Sequence, residues 1–96
     1  MKIEYHPLTV DDLNTASFHY EQQQSGLSKI FLAEVYQAIE RIQAHPFLYV
    51  EVAGIRRILL KRFPYSILYR IVPSDCIRIL VIRHHRRHPV FGSARS

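Results

Sequence analysis

Apolar positions recur at helical spacing in the first half of the chain and alternate with polar ones in the second. Ile3 and Tyr5 alternate with Lys2 and Glu4, which predicts a short strand over Lys2–His6 that Pro7 ends. Thr9, Asp11 and Asp12 then offer capping oxygens and negative charge at a helix start. Leu13, Ala16 and Tyr20 follow at helical spacing up to Ser25-Gly26, where glycine takes a left-handed stop. A second helix is predicted from Leu27, with Phe31, Val35, Ala38 and Ile42 in one stripe widened by Ile30 and Ile39, and Pro46 as its end. So few residues join the two helices that they form an antiparallel hairpin.

The rest reads as a meander of three strands. Arg57–Phe63 is followed by a Pro64-Tyr65 turn, Ser66–Val72 by the turn Pro73-Ser74-Asp75-Cys76, and Ile77–His84 comes last. Strict alternation puts Ile67, Tyr69 and Ile71 on one face and Ser66, Leu68, Arg70 and Val72 on the other. In the last strand it groups Ile77, Ile79, Val81 and Arg83 against Arg78, Leu80, Ile82 and His84. One face of the sheet is then nearly all apolar and buries the helical hairpin. The expectation is an α+β fold in the order β-α-α-β-β-β, with the hairpin on one face of a small, twisted, mainly antiparallel sheet. The 96 residues form a single domain over 1–96.

Charge changes the picture. Residues 1–53 carry three Lys/Arg against seven carboxylates, a net −4, whereas residues after Gly54 carry ten against Asp75 alone, a net +9; together these give the chain's +5. An acidic helical half thus precedes a basic sheet half, which points to an anionic partner for the sheet. The single Cys76 excludes an intrachain disulfide and a Cys-based zinc site. Lys2 is followed by polar Glu4 and His6, unlike a charged-then-apolar leader, and no apolar run approaches the ~20 residues of a bilayer span. The expectation is a soluble cytoplasmic domain with no membrane contact and no cofactor.

Two constellations carry candidate chemistry. Arg57, Lys61, Arg70, Arg83, Arg86 and Arg87 come from three adjoining strands and the tail, where guanidinium forks on a rigid surface bind phosphates or carboxylates. Beside them His84, His85 and His88 lie among cations, which push imidazole toward the neutral form suited to acid–base work. No metal is expected there, because adjacent strand positions face opposite ways and the neighbours are cationic. Tyr65, Tyr69 and Phe63 read as sheet packing rather than a base-stacking platform. Cys76 has no His neighbour, Ser66 and Ser74 lack a triad context, and no glycine-rich phosphate loop exists.

The run Arg57…Phe63-Pro64-Tyr65…Tyr69…Ile77-x-Ile79-x-Val81…His84-x-x-Arg87-x-Pro89 resembles the RelE/ParE superfamily of toxins from type II, plasmid-stabilisation toxin–antitoxin modules. The element order and length agree over nearly the whole chain. The resemblance implies a cognate acidic antitoxin and one of two activities. One branch cleaves mRNA on the ribosome without a metal; the other, ParE-like, binds DNA gyrase and traps its cleaved-DNA complex.

For a ribonuclease the resemblance implies Arg57, Lys61 and Arg87 as phosphate clamp with His85 as acid. Ser66, however, stands where that branch carries a catalytic Arg, and no Tyr follows Tyr69. Arg87 fits both branches, and His84 fits the ParE-like pattern better. A ParE-like gyrase inhibitor is therefore favoured, with Arg70, Arg78, Arg83, His84, Arg86 and Arg87 as target-binding residues. The ribosome with its mRNA is the alternative target, and a non-toxic basic nucleic-acid-binding module is the second alternative. Assembly as a dimer, or as a heterotetramer with the antitoxin, stays open.

Overall fold

Two apolar stripes facing one another draw the helices into a hairpin against the sheet. In the computed structural model, which describes residues 1–73 and 75–96, the elements are β1 (Lys2–Tyr5), α1 (Thr9–Gln23), α2 (Leu27–Ala44), β2 (Glu51–Val52), β3 (Ile55–Leu59), β4 (Tyr65–Val72) and β5 (Cys76–His84). Ser74, assigned above to the turn before β5 and denied a triad, lies outside the described residues. The strand order is β1-β5-β4-β3-β2, with β1 parallel to β5 and every other pair antiparallel. Phe31, Val35, Ala38 and Ile42 of α2 are fully buried with Ile67, Tyr69, Ile77 and Ile79 of the sheet. Tyr20, Phe31, Phe63 and Tyr65 add an edge-to-face aromatic cluster where α1, α2 and the β3–β4 loop meet.

Three features depart from the sequence reading. The first is β2, a short strand that the expected order lacks. Ala53 (φ 52°) and Gly54 (φ 82°) both adopt left-handed backbone, which makes the tight two-residue turn that folds β2 back onto β3. That pairing starts β3 at Ile55 rather than Arg57.

The second is the early end of β3, at Leu59 rather than Phe63. Glu34 of α2, almost fully buried, accepts the backbone N–H groups of Lys61 and Arg62 and pairs with the Arg62 Nε at 3.2 Å. The carboxylate thus pulls the chain out of the ladder and anchors the Phe63-Pro64-Tyr65 turn. Burial alone would raise the Glu34 carboxyl, but these N–H donors and the Arg62 charge outweigh it and hold the group below its ordinary range.

The third is a bulge between β4 and β5. Leu68 pairs with Val81 while Tyr69 pairs with Ile79, leaving Leu80 as an extra residue. Alternation therefore shifts by one beyond the bulge. Ile82, opposite Ile67, joins Ile77 and Ile79 in the core, whereas Val81 and Arg83 turn to the open face opposite Leu68 and Ser66. The strict alternation expected above, with Val81 and Arg83 beside Ile77 and Ile79, is corrected by that one residue.

Tyr69 shows how firmly the middle of β4 is held. Its side chain is fully buried, its hydroxyl donates to the Pro46 carbonyl at 2.7 Å, and burial pushes its pKa up to about 12.

Removal of the Glu34 charge provides a test. Glu34→Gln is expected to cost about 1–3 kcal/mol at neutral pH, as a loss of charge-assisted hydrogen bonds from the Lys61 and Arg62 N–H groups to a buried carboxylate. Because the folded carboxyl titrates below its unfolded value of ~4.3, the stabilisation is present above that value and fades as pH falls through the folded one. Urea unfolding from neutral to acid pH should show a constant gap between wild type and variant that closes in acid.

Candidate functional site

β1 covers only the first part of β5. Its ladder runs from Lys2 opposite Cys76 to Tyr5 opposite Ile79, and His6 adds one bond to the Ile79 carbonyl. Beyond Ile79 the outer edge of β5 needs other partners, since unpaired edge groups are costly when buried. Asp12 of α1 accepts the Ile82 N–H at 3.0 Å, and Arg95 of the C-terminal segment donates to the Leu80 carbonyl at 3.1 Å. The two side chains grip each other bidentately at 2.6 and 3.1 Å, with only 3% of Asp12 and 10% of Arg95 exposed. Asp12, read from the sequence as a helix-start charge, is a buried tie between helix, strand and tail.

That tie brings residues 85–96 back across the sheet. Arg83 donates to the Pro89 and Phe91 carbonyls at 2.9 and 3.3 Å. Gly92 (φ 78°) rests on Val81 so closely that an added Cβ would stand 2.4 Å from a Val81 methyl. Two guanidinium groups lie over the Phe91 ring, that of Arg87 at 4.5 Å and that of Arg95 at 5.3 Å from its centroid.

On the open face this strap borders a basic cleft of about 390 Å³, lined by Arg57, Leu59, Ser66, Arg83, His85, Arg87 and Pro89. Arg57, Arg83 and Pro89 are shared with an adjoining groove of about 470 Å³ that Val50, Val52, Ile55, Leu68, Leu80 and Val81 line together with Gly92, Ser93 and Arg95 of the tail. Among the described residues no carboxylate lines either one. The cleft therefore combines fixed positive charge with an exposed imidazole, an arrangement that receives a phosphate or carboxylate.

The structure distributes the sequence candidates unevenly. Arg57, Arg83, His85 and Arg87 meet in the cleft, while Lys61 lies past Leu59, in a hollow shared with Arg41 and Arg57. Arg70 and Arg78 stand opposite each other toward the far end of the same face, where Arg78 pairs with Glu4 at 2.7 Å and the buried Arg70 Nε has no partner among the described residues. Arg86 is exposed in the turn after β5.

His84 points to the helical side, 5.0 Å from the Tyr65 ring, and its Nδ1 accepts the Arg86 N–H. Burial first, then the charges of Arg86 and neighbouring side chains, lowers its pKa, so this imidazole is neutral at pH 7. Among the described residues no three His, Cys, Asp or Glu side chains converge as metal ligands would. Asp12, Phe91, Gly92 and Arg95 escaped the sequence reading. Only Gly92, a glycine in an otherwise featureless tail, carried a signal of close backbone approach.

With this geometry in place, comparison with known proteins is informative. The family described as the ParE toxin of the type II toxin–antitoxin system, parDE, matches residues 3–89. A solved chain from a chromosomal ParDE toxin–antitoxin system of P. aeruginosa superposes with a TM-score of 0.75, covering 88% of this chain and 95% of that one at 24% identity, a likeness of fold. No curated protein matches.

The strap can be tested through Gly92. Gly92→Ala meets both a left-handed φ and the Val81 methyl, so it should unseat the tail. Hydrogen exchange is expected to quicken at residues 89–95 while β4 amides stay protected.

Proposed function

The chain belongs to the ParE toxin family of type II toxin–antitoxin systems, and on that footing we propose that it inhibits DNA gyrase by binding, without chemistry of its own. The family implies an antitoxin partner; in this reading the antitoxin is acidic and the encounter takes place in the cytoplasm. Among the described residues no helix is long and apolar enough to cross a membrane.

The observation that carries the reading is the cleft itself. Arg57, Arg83 and Arg87 supply charge, but the strand position between them holds Ser66, buried opposite Arg83. A metal-independent ribonuclease needs a cation beside the scissile phosphate to stabilise charge in the transition state, and a hydroxyl does not supply it. An inhibitor that acts by binding needs only a rigid surface that favours one state of its target. The sheet end is such a surface, and Arg57, Arg86 and Arg87 make no ion pair there among the described residues. Arg83 contributes differently from the sequence expectation, since its fork is engaged by the tail.

One observation favours the ribonuclease as second reading: Arg57, His85 and Arg87 line a single cleft. That arrangement suits a clamp with an acid, although Lys61 stands outside it.

Two assays separate the readings. Purified protein added to gyrase and relaxed plasmid is expected to block supercoiling and accumulate cleaved plasmid. The effect should weaken as salt rises and be lost in Arg87→Glu, which leaves the core intact. Normal supercoiling at toxin well above enzyme rejects the gyrase reading. Codon-dependent cleavage of mRNA on translating ribosomes, abolished in Arg87→Ala/His85→Ala, would establish the ribonuclease instead.

A further inference from the structure

Arg87 sits on a segment without helix or strand, residues 85–96, and its side chain is exposed. A long side chain on such a segment samples many rotamers, and fixing one on binding costs affinity. Here the segment is tied instead: to Arg83 through two carbonyls, to Val81 through Gly92, and to Asp12 and Leu80 through Arg95. Phe91 then presents its ring to both Arg87 and Arg95.

Two guanidinium groups on one ring repel each other unless one charge is matched. Asp12 matches Arg95, so the ring holds Arg87 beside a neutralised neighbour. Neither Asp12 nor Arg95 lines the basic cleft, yet the position of Arg87 at its border follows from their pairing.

We infer that Asp12 and Arg95 are positioning residues for target inhibition: through Phe91 they hold the Arg87 guanidinium in place at the basic cleft. This rests on the reading above that Arg87 contacts the target. Without the Asp12 charge, Arg95 is a half-matched cation in a buried site, the lowest-energy course is its exit to solvent, and Phe91 and Arg87 lose their seat. Arg87 keeps its charge but not its preorganisation, so inhibition falls by about tenfold, the scale of one lost charged hydrogen bond.

Asp12→Asn isolates this role, because the amide oxygen can still accept the Ile82 N–H while the charge on Arg95 goes unmatched. The first arm needs no target. Arginine side-chain NMR should show Arg87 resonances shifted by the Phe91 ring in the wild type, and this shift should collapse in Asp12→Asn while β4 amides stay protected. The second arm measures growth arrest from a titratable promoter for Asp12→Asn, Arg87→Ala and the double variant.

A double variant no weaker than Arg87→Ala supports the inference. Arg87 resonances unchanged in Asp12→Asn, or losses that multiply in the double variant, overturn it. If Arg87→Ala leaves growth arrest intact, the target-contact reading fails, and the NMR arm alone decides whether the pair positions Arg87. If Asp12→Asn does not fold, Arg95→Gln, which removes the cation that ties the tail to Asp12, takes its place in both arms with the same expected outcomes.

Discussion

The outer edge of β5 is left half covered by β1, and a buried ion pair completes it. Asp12 and Arg95 do for Ile82 and Leu80 what a longer β1 would have done. Taking two charges out of water costs several kcal/mol per ion, and such a pair is tolerated only when its remaining hydrogen-bonding groups are satisfied. Here the two side chains bind each other bidentately and each also binds the β5 backbone. The gain is in arrangement more than stability. This one contact joins α1, the edge of β5 and the returning tail.

A second buried carboxylate works in the same manner at the opposite corner. Glu34 of α2 ends β3 and fixes the following turn by taking backbone N–H groups that would otherwise continue the ladder. The helices therefore shape the sheet as well as cover it. The asymmetry of charge gains a second meaning from this. All four ion pairs among the described residues join a carboxylate of the first half to an arginine of the second: Glu4–Arg78, Asp12–Arg95, Glu34–Arg62 and Glu51–Arg56. Part of the segregated charge fastens the two halves together. Of what remains without an ion pair in the second half, Arg57, Lys61, Arg70, Arg83 and Arg87 lie on the open face or at its border, and Arg86 is exposed in the turn after β5.

The bulge at Leu80 decides which of these cations act together. Without it Arg83 would point at the helices and Ile82 at solvent, so the cleft would lose one wall and the core one side chain. With it, Arg83 stands opposite Ser66 and reaches the tail carbonyls. The same shift decides which of the adjacent histidines faces which way, His84 inward against Tyr65 and His85 outward to the cleft.

Local patterning was legible in the sequence because it depends on neighbours a few positions apart. The two helices, their hairpin, four of the five strands, the apolar stripe of α2 and the basic character of the sheet half all follow from spacing and residue type. Arg57, His85 and Arg87 were brought together only by the resemblance to known toxins, and in the structure they line one cleft. Several features were not legible in this way. β2 depends on a tight turn with Ala at a left-handed position, where Asn or Gly is the usual signal. The bulge adds one residue to a run of apolar side chains, which looks the same in either register. The Asp12–Arg95 tie spans 83 positions, and neither residue differs in the sequence from an ordinary surface charge. Spacing reveals which face a residue shares with its neighbours. Only tertiary packing decides which distant charge meets it in a site without water, because burial, not sequence, turns an acidic side chain into the partner of a strand edge.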